Sequence, residues 1–209
     1  MRIIRRKVFE TNSSSTHAIA ITKSNENLDS PKYISLEYDG EYGWSFRVVN
    51  DLDNKFTYLA IAAAYIADIS HKGDRDEFFK VPGDIRAREF EIRYFLWKLK
   101  KLGFSFGDRE DKIVKKLTDE DSYDYYIDHC DEAVGIYLDL VDNDDKLKRF
   151  LLSSDSFITM GNDNDDRDIW DEPNRRFDLG LKPYETEWGT TRYNEDQLND
   201  RFEIYYKGN

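Results

Sequence analysis

The sequence predicts an α+β fold: a small β-rich N-terminal platform, several helices including an acidic amphipathic one, and a partly disordered C-terminal tail. Three observations predict it. Short apolar runs between turn-formers fill the first fifty residues. Apolar stripes at three- and four-residue steps recur from Asp51 to Leu152. Beyond Pro173 no period is sustained, and Pro183, Gly180 and Gly189 punctuate the chain.

Taken in order, Met1 to Lys7 interleaves Arg2, Arg5, Arg6 and Lys7 with Ile3 and Ile4, which suits a basic strand or arm. Thr11 to Thr16 are small and polar, fit for turns. Ala18 to Ile21 read as a short buried strand. Tyr33–Tyr38 and Trp44–Val49 suit further strands, with a turn over Asp39–Gly43. Asp51–Ser70 is almost wholly apolar and reads as a central helix capped by Asp53 or Asn54, with His71, Lys72 and Gly73 as its stop. Asp84–Leu102 and Arg109–Leu117 read as two more helices. The stretch from residue 84 to 117 holds 10 basic and 6 acidic side chains.

Asp121–Asp142 is the most two-sided segment. Tyr123, Tyr126, Ile127, Cys130, Val134, Tyr137, Leu138 and Val141 make one stripe. Asp121, Asp124, Asp128, Asp131, Glu132, Asp139 and Asp142 gather on another side, with no basic residue between them. On a helix that is one negative charge per roughly 4–5 Å; a DNA strand carries one per roughly 3.4 Å. The same pattern fits a core helix with a solvated outer face. Asn143–Leu152 then looks helical, Ser154–Met160 extended, and Phe202–Tyr206 a terminal strand.

Charge divides the chain into three parts. Residues 1–117 are mildly basic, at net +3, and form the candidate DNA-binding part. Residues 118–209 carry net −15, for a total of −12. Within them 118–172 is the candidate flexible DNA-mimic part and 173–209 an irregular or disordered tail. Such asymmetry points to two electrostatic tasks. The candidate DNA contacts are Arg2, Arg5, Arg6 and Lys7; the polar donors Ser13, Ser14, Ser15, Thr16 and His17; and Arg86, Arg88, Arg93, Lys98, Lys100 and Lys101. The candidate mimic carboxylates extend the acidic run through Asp144, Asp145, Asp163, Asp165, Asp166 and Asp168.

Several chemistries are disfavoured. No apolar run is long enough to span a membrane, and no signal peptide is recognised. The lone Cys130 cannot form an internal disulfide and suits a reducing compartment. His17, His71 and His129 lack metal-site spacing. The stretch GNDNDDRDIWDE, residues 161–172, fails as a calcium loop, because Arg167 takes the fifth ligand position and Asp168 the glycine position. The Ser/Thr loop lacks the GxxxxGK[ST] pattern of a phosphate-binding loop. No catalytic residue, cofactor or metal is expected.

The stretches FETNSSSTHAIAI (9–21) and SFITMGNDNDD (156–166), with the clustered Asp and Asn runs, resemble proteins of large Bacillus phages. The resemblance extends to early host-takeover acidic proteins that inhibit host RNA polymerase as DNA mimics. It implies a non-enzymatic inhibitor of the polymerase β and β′ subunits, with non-specific binding to double-stranded DNA, located in the host cytoplasm near the nucleoid. Two alternatives come from the residues: a small phage hydrolase or nuclease using His17 and the Ser/Thr loop, and an acidic adaptor for another basic partner.

Overall fold

The computed structural model describes residues 15–25, 28, 33–37, 40–43, 45–70, 85–119, 125–127, 130–162 and 167–207. The fold is α+β. Strand β1 (Ser15–Thr22) pairs antiparallel with β7 (Phe157–Asn162) on one side and β10 (Phe202–Lys207) on the other. Strand β4 (Arg47–Val49) pairs antiparallel with β7, so the sheet runs β10-β1-β7-β4. Between these strands come β2 (Tyr33–Ile34), β3 (Gly40–Tyr42), α1 (Leu52–Ser70), α2 (Ile85–Lys101), β5 (Ser105–Phe106), α3 (Glu110–Thr118), β6 (Tyr125–Ile127), α4 (Cys130–Val141) and α5 (Asp144–Leu152). After β7 follow α6 (Asp171–Phe177), the hairpin β8 (Pro183–Glu185) and β9 (Thr191–Tyr193), and a 3-10 turn over Glu195–Leu198.

The sheet is covered on both faces. Ile19, Ile21, Val49, Ile158 and Met160 point toward the helices and share a core with Phe56, Leu59, Phe95, Tyr137 and Phe150. Ala18, Ala20, Phe157 and Phe202 point the other way, against Ile169, Trp170, Leu179, Leu181 and Leu198. The period-two alternation of the strands thus feeds two separate cores. Phe157 is the centre of the second. It stacks on Phe177 at 4.6 Å and meets Trp170 and Phe202 edge-on at 6.3 and 5.9 Å.

Helix α1 is central because its apolar residues leave no polar side for water. Residues Phe56 and Tyr58–Ala64 are all buried. Its cap is Asp51 rather than Asp53 or Asn54: the Asn54 amide donates to Asp51 Oδ1 at 2.9 Å. Asp53 instead accepts from the Ser35 amide, and Thr57 Oγ1 from the Glu37 amide, docking the chain after β2 onto the helix. One turn further, Lys55 is buried, yet its ammonium donates to the carbonyls of Ser153 at 2.8 Å and Ser156 at 3.2 Å. Those carbonyls follow the C-terminus of α5, where a cation complements the helix dipole.

Two sequence expectations are corrected. Asp121–Asp142 is not one helix: β6 occupies Tyr125–Ile127, and only Cys130–Val141 is helical. The aromatic run Tyr125–Tyr126 suits a strand, and β6 finds a parallel partner in β3, which forms where a turn was expected. Within 118–172, α4 and α5 join the core of α1 and β7 lies inside the sheet, so these elements pack together with the N-terminal ones. Residues 173–209 are not a disordered tail through Lys207: they supply α6's body, a hairpin, an edge strand and Leu179, Leu181, Leu198 and Phe202 of the second core. The stop at His71, Lys72 and Gly73 and the basic segment Met1–Lys7 lie outside the described residues.

Phe157→Ala removes the ring that this second core packs around and is expected to cost about 3–5 kcal/mol. A fall in the urea midpoint with unchanged slope would register it; an unchanged midpoint would mean that the C-terminal layer does not load onto the sheet.

Candidate functional site

The acidic surface is built at the turn between α4 and α5. Asn143 caps α5, its side chain accepting from the Lys146 amide at 3.0 Å. Asp144 and Asp145 fill the first turn of α5, where the helix dipole favours negative charge. Asp142 stands just before the cap. All three are exposed, and Asp142 and Asp145 make no ion pair among the described residues. The cap fixes the backbone, so three carboxylates project from one rigid corner.

The neighbouring acids serve the fold instead. Asp139, half exposed, accepts from Lys146 at 2.7 Å and from the Tyr205 hydroxyl. Lys146 also reaches Glu203 Oε1 at 2.7 Å and Tyr205 Oη at 2.8 Å, so this network ties α4 and α5 to β10. The hydrogen bonds from Lys146, then Tyr205, hold the Asp139 carboxyl below its usual range. Burial works to lower the Lys146 ammonium, but its bonds to Asp139, Glu203 and Tyr205 outweigh that and hold it above its usual value. Asp168 accepts from the amides of Trp170 at 2.8 Å and Tyr193 at 3.1 Å, which makes it a brace for the hairpin. Burial raises its carboxyl, against those two amides.

The two candidate patches also meet each other. Lys98 of the basic set pairs with Asp144 of the acidic set at 2.6 Å. Arg93 pairs with Asp111 at 3.1 Å, and Lys100 with Glu110. Arg86 and Lys101 are exposed at the two ends of α2, while Arg88 is half-buried. The polar loop changes character altogether. Ser15 begins β1, and Thr16 and His17 are 7% and 2% exposed within it. His17 lies opposite Met160 and Lys207, with its ring 6.2 Å from that of Tyr58. Thr16 and His17 are therefore corrected from phosphate donors to core residues, and His17 is not placed to serve as a solvent-facing base. Arg2, Arg5, Arg6, Lys7, Ser13 and Ser14 lie outside the described residues, as do Asp121, Asp124, Asp128, Asp163, Asp165 and Asp166. Asp131 and Glu132 fall in the first turn of α4.

Sequence reading missed a cleft of about 310 Å3 between β4, β7 and α6, lined by Phe46, Arg47, Arg167, Asp171, Arg175 and Arg176 among others. Phe46 packs over Gly161, where a Cβ would lie 2.6 Å from the ring, and the Arg167 guanidinium lies over the ring at 4.6 Å. Its arginines are largely committed. Arg176 donates to Val48 O at 3.0 Å and Asn50 Oδ1 at 2.7 Å, Arg47 to Asn54 Oδ1 at 2.9 Å, and Arg175 pairs with Glu172. The cleft residues lie about 120 positions apart in sequence, so no local pattern announces them. Among the described residues no cluster of three or more His, Cys, Asp or Glu is arranged to hold a metal, and no helix is long and apolar enough to cross a membrane.

Comparison of the chain with protein-family models, curated proteins and solved structures finds no match.

Asp139 provides a pH test. Its folded-state pKa lies below its unfolded value of about 4, so its contribution is present above that value and is lost as pH falls through the folded value. Asp139→Asn should flatten this part of the acid limb of the stability curve while costing less than about 1 kcal/mol at neutral pH, because the group is half exposed. Urea midpoints from pH 2 to 7 would show it, and an acid limb identical to wild type would dismiss the network as a source of pH dependence.

Proposed function

We propose that this protein is a non-enzymatic inhibitor that occupies a positively charged nucleic-acid groove by DNA mimicry. The groove we assign is the DNA channel of host RNA polymerase on its β and β′ subunits, as in the phage proteins it resembles. The observation that supports the reading is the corner of Asp142, Asp144 and Asp145, exposed and held by a capped helix on a half-chain of net −15. Carboxylates held in place lose little side-chain freedom on binding, and a line of like charge steers encounter with a basic groove. The Lys98 pairing does not remove Asp144 from use, since the Asp144 side chain stays 54% exposed beside it and a denser cationic surface can still reach the carboxylate. The cationic N-terminal half provides weak, sequence-independent anchoring to double-stranded DNA, and one chain carrying both activities raises the local concentration of mimic on the genome. The place of action is the host cytoplasm near the nucleoid.

The deciding experiment is the affinity for purified core RNA polymerase across a salt series, with and without competing duplex DNA. Tight binding that weakens with salt and is displaced by DNA is expected. Changing Asp142, Asp144 and Asp145 together to Asn should weaken it about tenfold at low salt and make the salt dependence shallower. No binding at low salt rejects the polymerase assignment, and capture of a different basic protein from host lysate would then favour the adaptor reading.

A further inference from the structure

Helix α2 carries a surface that neither the acidic corner nor the core explains. Its inner face buries Ile92, Phe95, Leu96 and Leu99. Its outer face should be polar on an ordinary amphipathic helix. Instead Phe90 is 66% exposed, Trp97 50% and Tyr94 38%. The spacing 90, 94, 97 places the three rings in one row, and Arg86, Arg93, Lys100 and Lys101 fall within the same arc of roughly 120°. The rings are already organised: Tyr94 and Trp97 stack at 5.8 Å with their planes 27° apart, and the Lys101 ammonium lies 5.5 Å from the centre of the Trp97 ring.

The charge of this helix identifies what fits. In a chain of net −12, α2 carries six cations against two carboxylates, a net +4. An apolar protein partner would meet no need for that charge, and an acidic one no need for three flat π-faces in a row. A polyanion with exposed aromatic faces needs both. We infer that the outer face of α2 binds single-stranded nucleic acid, with bases stacking on Phe90, Tyr94 and Trp97 and phosphates drawn to Arg86, Arg93, Lys100 and Lys101. From Phe90 to Trp97 the row spans about 10 Å, enough to seat two or three bases. Duplex DNA hides its base faces inside the stack and cannot use the rings. The pairs Arg93–Asp111 and Lys100–Glu110 lie on the surface, where such pairs are weak and their cations can turn to a phosphate. This inference does not rest on the polymerase reading, which concerns the acidic corner, although Arg86, Arg93, Lys100 and Lys101 also belong to the cations proposed to anchor duplex DNA.

The test uses the full chain and fluorescence anisotropy with labelled oligothymidine of about fifteen nucleotides and a duplex of equal length at low salt. Oligothymidine should bind more tightly than the duplex. Changing Tyr94→Ala and Trp97→Ala together should weaken that binding about tenfold or more, Trp97→Phe much less, and the duplex should respond to neither. Both side chains are exposed, and an unchanged urea midpoint verifies the fold. Polymerase affinity should be the same in wild type and double variant, so loss of one activity is separable from loss of the other. Absence of oligothymidine binding by the wild type, or equal binding by the double variant, overturns the inference. Self-association in sedimentation that the double variant abolishes would assign the face to a second copy of the chain and likewise overturn it.

Discussion

Strand β1 has no side that faces solvent. Its backbone pairs with β7 and β10, and its side chains from Thr16 to Thr22 are all buried, alternating between two cores. A strand of this kind needs a layer on each face, because exposing Ile19 and Ile21, or Ala18 and Ala20, would return apolar surface to water. The helices form one layer. Among the described residues the other layer comes mainly from the segment after β7, with Phe46 and Val48 at its border, and this is why Ile169, Trp170, Leu179, Leu181 and Leu198 are drawn down although their sequence has no period. The edge strand β10 closes the arrangement by pairing the open side of β1.

The same constraint sorts the charges. An acidic segment that must bury Ala133, Val134, Tyr137, Leu140 and Val141 cannot be a free-standing rod. Its carboxylates divide by position. Asp139 lies where α4 approaches β10, and Lys146 binds it to Glu203 and Tyr205. Asp142, Asp144 and Asp145 lie at the outer corner and stay exposed. Next to this corner, α2 buries its aliphatic and Phe95 face and leaves a cationic, aromatic face outward. The molecule therefore carries a negative corner and a positive face, linked by the Lys98–Asp144 pair at their border.

Much of this architecture was readable in the residues. Helices α1, α2, α3 and α5 lie within a residue or two of where their apolar periods place them, and β7 and β10 follow their short apolar runs. Local signals failed where a distant partner outweighed them. The helical stripe from Tyr123 is broken because β3 offers Tyr125–Ile127 a parallel strand to pair with. Asp51 caps α1 because it, rather than Asp53, lies one residue before the helix, leaving Asp53 to dock Ser35. The polar stretch ending at His17 looked like a loop, but β7 and β10 flank its last residues and make them strand. The outward aromatic row of Phe90, Tyr94 and Trp97 drew no reading from the sequence, because it falls off the apolar stripe of α2 and its exposure depends on what packs against the helix.

By itself the sequence did not determine α6 or the break before α4; it determined helices α1, α2, α3 and α5, how charge is split between the halves, and that Ala18–Ile21 is a buried strand. These follow from side-chain spacing and composition over ten or twenty residues, and both are local quantities. Only the tertiary structure decided which charged and aromatic groups remain available for binding. Availability depends on partners such as Glu203 for Lys146, Ser153 for Lys55 and Asp144 for Lys98, all more than forty residues away along the chain. Contacts at that distance are set by how the layers pack, and no local pattern carries them.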